Sequence, residues 1–405
     1  MKKFNKFLSV AVASAMVMAM AGCGNTDNGS AATGTNAATE SAAASDSAAS
    51  GSVFKIGGIG PTTGGASVYG LAVQHGAEIA VEEINAAGGI NGYQVEFKFQ
   101  DDEADAEKSV NAYNALKDWG AQIIDGSTTS GACIAVTDKT KEDNMFQITP
   151  SGSAVECVQY DNNFRVCFSN PNQGLASAQY IGENGLAEKI AVIYDSSDVY
   201  SSGIYEKFAK EAENQPFEIV AAEAFTADNK TDFSVQLQKA KDAGADMVFL
   251  PIYYQESALI LTQAAAMGYA PKWFSCDGMD GILGGVDNFD VSLTEGVMLL
   301  TPFAADATDD LTQSFVTKYK EKYGDTPNQF AADSYDAIYV IKAAIEKSGV
   351  TPDMSVSDIC DGMKAAMTEI TVDGLTGNGM TWTADGEANK APKAVVIENG
   401  AYKAM

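Results

Sequence analysis

The chain has 405 residues, more than one hydrophobic core usually organises, so two lobes or domains are expected. Its 54 acidic side chains against 26 basic ones give a formal charge of −28, which argues against nucleic acid and against an anionic membrane surface as partners. Apolar residues make up 46%, enough for a substantial folded core.

Lys2, Lys3 and Lys6 precede an apolar run from Phe7 to Ala21 that ends in small residues before Cys23. This is the layout of a secretory signal peptide over residues 1–22, and the run is short for a membrane span. "MAMAGCG" resembles a bacterial lipobox, with Met20 where Leu is commonest, which makes Cys23 the lipidated new N-terminus. Residues 24–52 are nearly all Ala, Ser, Thr, Gly and Asn, so 23–52 reads as the anchor and a flexible tether. Cleavage would remove three lysines and no acid, taking the charge from −28 to −31. No later segment is apolar for long enough to span a bilayer.

From residue 53 the pattern alternates. "VFKIGGIG" reads as a buried strand and "PTTGGASVYG" as a loop. "LAVQHGAEIAVEEINAAGG" places apolar residues at helical spacing before a glycine stop. "YQVEFKFQ" alternates as a strand, a helix runs from about Ala104 to Trp119, and "AQIID" leads into the hydroxyl-rich loop "GSTTSG". "MFQIT", "KIAVIYD", "FEIVAAE", "DMVFLPI" and "KWFSCD" are strand-like, with helical segments between most of them. Strands alternating with helices imply an α/β fold with parallel sheets. In such sheets ligands bind beyond the carboxyl ends of strands, where "GSTTSG", "TPSGSA", "YDSSDVYSSG", "LPIYYQ" and "SCDG" all fall.

The inventory excludes much chemistry. His75 is the one histidine, mid-helix and without a GxSxG elbow, so a structural role is expected for it. Arg165 is the one arginine, so no arginine cluster clamps a phosphate or dicarboxylate. "GGIGPTTGG" lacks GxGxxG spacing, no GxxxxGK[ST] occurs, and "DDEAD" (101–105) fits a helix N-terminus better than an EF-hand. Of Cys133, Cys157, Cys167, Cys276 and Cys360, no two form CxxC, and no metal site or cofactor is expected. Cys157 and Cys167 flank "VQYDNNFRV", where a disulfide would close a local loop. Hydroxyls and backbone N–H groups at a strand-to-helix turn suit a carboxylate at the positive end of a helix dipole. The competing reading of that loop is that Ser130 merely caps a helix beginning near Ala132.

The ordered series "IGGIGPTTGGASVYG", "GAEIAVEEINAAGGINGYQVEF", "GSTTSGACIAV", "ITPSGSA", "FRVCF", "YSSGIYEKF", "QAAAMGY", "DGMDG" and "YDAI" resembles the type I periplasmic binding proteins of ABC importers, in the leucine/isoleucine/valine-binding branch. The resemblance covers residues 53 to 402. It implies two Rossmann-like α/β lobes joined by a three-stranded hinge, the first from 53–170 and 300–378, the second from 171–299 and 379–405. Carried onto this chain, Ser130 and Gly131 would meet a ligand carboxylate. Gly152 and Ser153 would contact the carboxylate and ammonium, and Asp277 would pair with the ammonium. Tyr200 and either Tyr253 or Tyr254 would close from the second lobe, and Tyr69 and Phe330 would border the side-chain pocket. Thr128 and Thr129 stand where the family often has apolar or sulfur side chains.

The expectation is therefore a lipid-anchored, non-enzymatic binding subunit of an ABC amino-acid importer. It would be a monomer at the outer face of the cytoplasmic membrane, or on its periplasmic side, delivering a neutral branched-chain or other apolar L-amino acid to permease and ATPase subunits. A same-fold module for a sensor, or for a small carboxylate or amide lacking an ammonium, is the alternative. An exported enzyme is the remote one.

Overall fold

The first strand, β1 (Phe54–Gly60), is buried along almost its whole length, as a central strand of a parallel sheet covered on both faces must be. A computed structural model describes residues 51–405. The signal peptide, Cys23 and most of the tether lie outside the described residues. After β1 come α1 (Ser67–Ala86), β2 (Val95–Asp101), α2 (Ala106–Trp119), β3 (Ile123–Asp125), α3 (Ser130–Asp143), β4 (Phe146–Thr149) and β5 (Asn163–Arg165). These strands form one parallel sheet in the order β2-β1-β3-β4-β5. Among the described residues no helix is long and apolar enough to cross a membrane.

A second run follows: α4 (Asn170–Glu183), β6 (Lys189–Asp195), α5 (Val199–Ala212), β7 (Glu218–Phe225), α6 (Ser234–Asp242), β8 (Met247–Leu250), α7 (Tyr254–Ala266), β9 (Lys272–Ser275) and β10 (Met298–Thr301). The chain then returns to the first lobe as α8 (Asp310–Tyr323), α9 (Gln329–Ser348) and α10 (Val356–Met367). It adds a hairpin, β11 (Thr381–Trp382) and β12 (Ala388–Asn389), and ends in β13 (Lys393–Glu398) and β14 (Ala401–Ala404). The second sheet runs β14-β13-β10-β9-β8-β6-β7, parallel from β7 to β10, with β13 and β14 added antiparallel. The chain thus passes between the lobes three times: after β5, after β10 and before β13.

Several expectations change in detail. Residues 380–390, assigned to the second lobe from sequence, pack on the first. Trp382 Nε1 donates to Arg165 O at 2.8 Å, Gly386 O accepts from Arg165 N at 3.0 Å, and buried Lys390 pairs with buried Asp333 of α9 at 2.8 Å. The return crossing therefore lies between β12 and β13. The disulfide expected between Cys157 and Cys167 is not formed, and all five described cysteines are free thiols. A 3-10 turn over Val155–Val158 carries Cys157 toward α3, where it packs with Cys133 and Ala154 rather than with Cys167. His75 stacks on Tyr323 at 3.6 Å between centroids, and its Nδ1 lies 3.2 Å from Tyr319 Oη, a packing role between α1 and α8. Asp105 caps α2 by accepting from Lys108 N.

The fold of the first lobe depends on α9 lying along α1. Gly76 permits this contact, because a Cβ there would stand 2.0 Å from Ala331 O. A backbone carbonyl inside a helix cannot step aside as a side-chain tip can. Gly76→Val should therefore destabilise by at least about 1–3 kcal/mol, the cost of overpacking, and lower the calorimetric midpoint by several degrees. A midpoint equal to that of the parent would contradict the close α1–α9 approach.

Candidate functional site

Both sheets turn their carboxyl edges toward one cleft, and the loops beyond β3, β4, β6, β8 and β9 meet there. On the first lobe, β3 ends at buried Asp125, whose Oδ2 accepts from Ser334 Oγ of α9 at 3.0 Å. Burial pushes its carboxyl up to about 7. Gly126 follows with φ +144°, and a Cβ on it would sit 2.6 Å from Ile59 O, so only glycine fits between β1 and the hydroxyl loop. The loop is then tied down by its neighbours. Ser127 Oγ pairs with Ser109 Oγ at 2.6 Å, Thr128 Oγ1 donates to Ile59 O at 3.2 Å, and Ser151 Oγ donates to Thr128 O at 2.6 Å.

Ser130 does not cap a helix starting at Ala132. The helix α3 begins at Ser130 itself, with Thr129 in the cap position. Ser130 Oγ instead accepts from Ser153 N and Ala154 N, both at 3.1 Å, stitching the β4 loop to the β3 loop. With its lone pairs so engaged, its proton faces Ser153 Oγ across a long 3.5 Å contact, weak enough to be given up to a stronger acceptor in the cleft.

Beneath the β4 loop lies a residue whose part is not legible from composition. Arg165, fully buried on β5, donates to Gly152 O at 3.2 Å, Ala154 O at 2.9 Å and Val155 O at 3.4 Å. Its Nε stands 3.3 Å from Glu387 Oε2. One cation thus collects three carbonyls of residues 152–155, leaving the opposite, N–H side of that loop turned toward Ser130. A lone arginine in an acidic chain was the only available signal.

Across the cleft, Asp277 opens a 3-10 turn, Asp277–Met279, just past β9. It is 6% exposed. Tyr200 Oη donates to its Oδ1 at 2.6 Å and Gln173 Nε2 to its Oδ2 at 2.8 Å, while Gly278 N donates to Tyr200 Oη at 2.9 Å. Burial is the main cause that pushes the Asp277 carboxyl up to about 7. The two side-chain hydrogen bonds oppose it, and the charge of Asp333 adds to it. Both donors are neutral, so among the described residues the carboxylate has no cationic partner. Three contacts pull the lobes together around it. Tyr69 Oη of α1 donates to Gly278 O, Gln329 Nε2 of α9 donates to Asp277 O at 2.9 Å, and Gln329 N donates to Asp280 Oδ2 at 2.9 Å.

The cavity so enclosed is bordered by Tyr69, Thr128, Thr129, Ser130 and Ser151 with Phe330 from the first lobe, and by Tyr200, Tyr253, Asp277 and Gly278 from the second. Its volume is ≈ 10 Å³, about the room for one water. Aromatic rings close it: Tyr69 lies 4.4 Å from Phe330 and 5.4 Å from Tyr253, and Tyr253 stacks on Tyr200 at 5.1 Å. Six of the ten expected residues border it directly. Gly131 instead lines an adjoining chamber of ≈ 340 Å³, shared with Gly65, Asp198 and Glu256. Gly152 and Ser153 are buried behind Ser130. Tyr254 packs edge-on against Tyr69 and donates its N–H to Tyr69 Oη, so of the two adjacent tyrosines it is Tyr253 that reaches the cavity. Gln173, Gln329, Gly278 and Ser151 were not legible in the sequence as site residues. Among the described residues no cluster of His, Cys, Asp or Glu is arranged to hold a metal ion.

Comparison with known proteins gives the same architecture. Residues 53–401 match the family model described as periplasmic binding protein. The Leu/Ile/Val-binding protein homolog 3 of Brucella melitensis is 30% identical over 300 residues, which is 74% of this chain and 80% of that protein. The leucine-, isoleucine-, valine-, threonine-, and alanine-binding protein of Pseudomonas aeruginosa is 30% identical over 73% of this chain and 78% of its own length. Among solved structures, the branched-chain amino acid transporter substrate binding protein LivJ of Streptococcus pneumoniae, in complex with isoleucine, superposes with a TM-score of 0.78 at 27% identity, covering 87% of this chain and 99% of that one. A two-lobed α/β body with facing strand-end loops, matched along nearly its whole described length, places this chain in the periplasmic binding protein family, in the branch of the Leu/Ile/Val-binding proteins.

Proposed function

We propose that the protein captures a neutral L-amino acid as its zwitterion between the two lobes and delivers it to the permease and ATPase subunits of an ABC importer. The observation that carries this reading is the pairing, across one aromatic-walled cavity, of a buried carboxylate without a cation and a hydroxyl loop at a helix N-terminus. Asp277 takes the α-ammonium. Ser130, with the N-terminal turn of α3, takes the α-carboxylate. Tyr69, Phe330, Tyr200 and Tyr253 part to admit the ligand and close over its side chain, the hinge motion for which periplasmic binding proteins are a standard case. The protein is a monomer that catalyses nothing, held extracytoplasmically through lipid on Cys23.

The two ends of the zwitterion respond differently to mutation. Asp277→Asn should weaken binding by about 2–5 kcal/mol, the loss of one partner of a buried, hydrogen-bonded ion pair. Ser130→Ala should cost about 1.5–3 kcal/mol, less where backbone N–H groups compensate. Calorimetric titration of the full chain with leucine and with its deaminated analogue reads this out. The analogue should lose far less affinity than leucine in Asp277→Asn, and undiminished leucine binding by that variant would sink the assignment.

The sign of the pH dependence follows from the raised Asp277 carboxyl. An acid whose pKa is raised by burial favours the closed, empty form at low pH, and that contribution is lost as the pH rises through about 7. The ligand ammonium favours the ionised carboxylate. Binding between pH 7 and pH 5 should therefore expel a proton, and affinity should decline on acidification by up to about tenfold per pH unit. Titrations in buffers of different ionisation heat will show that proton release. Its persistence in Asp277→Asn would assign it to another group.

A further inference from the structure

The side-chain hydroxyls of the β3 and β4 loops can be accounted for one by one. Ser127, Thr128, Thr149 and Ser151 each hydrogen-bond to protein, Ser130 accepts two backbone N–H groups, and Ser153 Oγ lies 3.5 Å from Ser130 Oγ. Thr129 is different. Its hydroxyl is buried without any hydrogen-bond partner among the described residues, although it holds the N-cap position of α3, where a threonine side chain ordinarily bonds a first-turn N–H. A buried hydroxyl left unpaired is costly, and the cost is recovered only by a partner that the protein itself does not supply.

Position narrows the partner. Thr129 borders both the small cavity and the ≈ 340 Å³ chamber beside it. A ligand held at Ser130 and Asp277 that extends toward the chamber passes Thr129 with the first atoms of its side chain. Ser130 accepts twice already and its proton is held only by the long 3.5 Å contact to Ser153 Oγ, so it can act toward a ligand only as a donor, which suits a carboxylate. Thr129 offers both a donor and an acceptor, which suits another hydroxyl.

We infer that Thr129 is a specificity-determining residue whose Oγ1 hydrogen-bonds a hydroxyl on the ligand's side chain, making a β-hydroxy-α-amino acid the preferred ligand. This rests on the amino-acid reading above and deepens it. Threonine and valine are near-isosteres that differ in this one group, and a site built to bond a hydroxyl rejects the analogue that leaves it unpaired.

Calorimetric titration of the full chain with threonine, valine, leucine and alanine tests the inference. Threonine should bind roughly tenfold or more tighter than valine in the parent protein. Thr129→Val should abolish or reverse that preference, while Thr129→Ser, which keeps the hydroxyl, should retain it. Valine binding as tightly as threonine in the parent, or a preference unchanged by Thr129→Val, overturns the inference. Binding of leucine or alanine without threonine overturns it while leaving the amino-acid reading intact. Failure of all four to bind removes both.

Discussion

The cleft is organised around a carboxylate buried where water cannot neutralise it. Moving an ionised carboxyl group out of water is costly unless a cation and hydrogen bonds replace the lost hydration. Asp277 receives hydrogen bonds from Tyr200 and Gln173 but no positive charge, and its acidity is correspondingly depressed. The closed cleft is thus incomplete in one specific sense: it is short of a cation. In the proposed reading a ligand ammonium supplies that charge, which would couple binding to the closed arrangement.

The opposite wall is built by the complementary means. Arg165 gathers the carbonyls of residues 152–155, and the N–H groups of Ser153 and Ala154 converge on Ser130. A buried guanidinium below and a helix N-terminus beside the loop both favour negative charge at the cavity surface. The arginine is held in turn by the segment that returns from α10. Trp382 and Gly386 bond the backbone of Arg165, and Glu387 stands beside its guanidinium. A hairpin remote in sequence therefore fixes the height of the β4 loop, next to the crossing where Lys390 pairs with Asp333.

Several of the contacts that draw the lobes together are centred on the same turn. Tyr69, Gln329 and Asp280 join α1 and α9 to the segment 277–280. Since that turn also carries Asp277, anything that reorients the carboxylate acts directly on the closing contacts. The aromatic rings meanwhile fill the cavity to about one water's volume.

Much of this was legible in the chain itself. Apolar runs with helical or alternating spacing mark β1 to β4, β6 to β9 and their helices, because each of those elements buries a face that its own residues define. The hydroxyl, tyrosine and aspartate loops fall at strand ends, where an α/β sheet must bind what it binds. Other features were decided only by long-range packing. β10, β13 and β14 are not among the strands read from the sequence: β13 joins the second sheet by pairing with β10, almost a hundred residues earlier, and carries β14 with it as a hairpin. Tyr253 and Tyr254 are equivalent as letters, and the start of α7 between them sends one ring to the cavity and the other behind Tyr69. Cys157 meets Cys133 rather than Cys167, and Ser130 bonds the next loop rather than its own helix, because the loops beyond β3 and β4 approach closely enough for such bonds. The sequence by itself determined which residue types stand at the strand ends. Only the tertiary structure decided which of their polar atoms are already satisfied, because a hydrogen-bond partner is a matter of distance in space and leaves no mark on spacing along the chain.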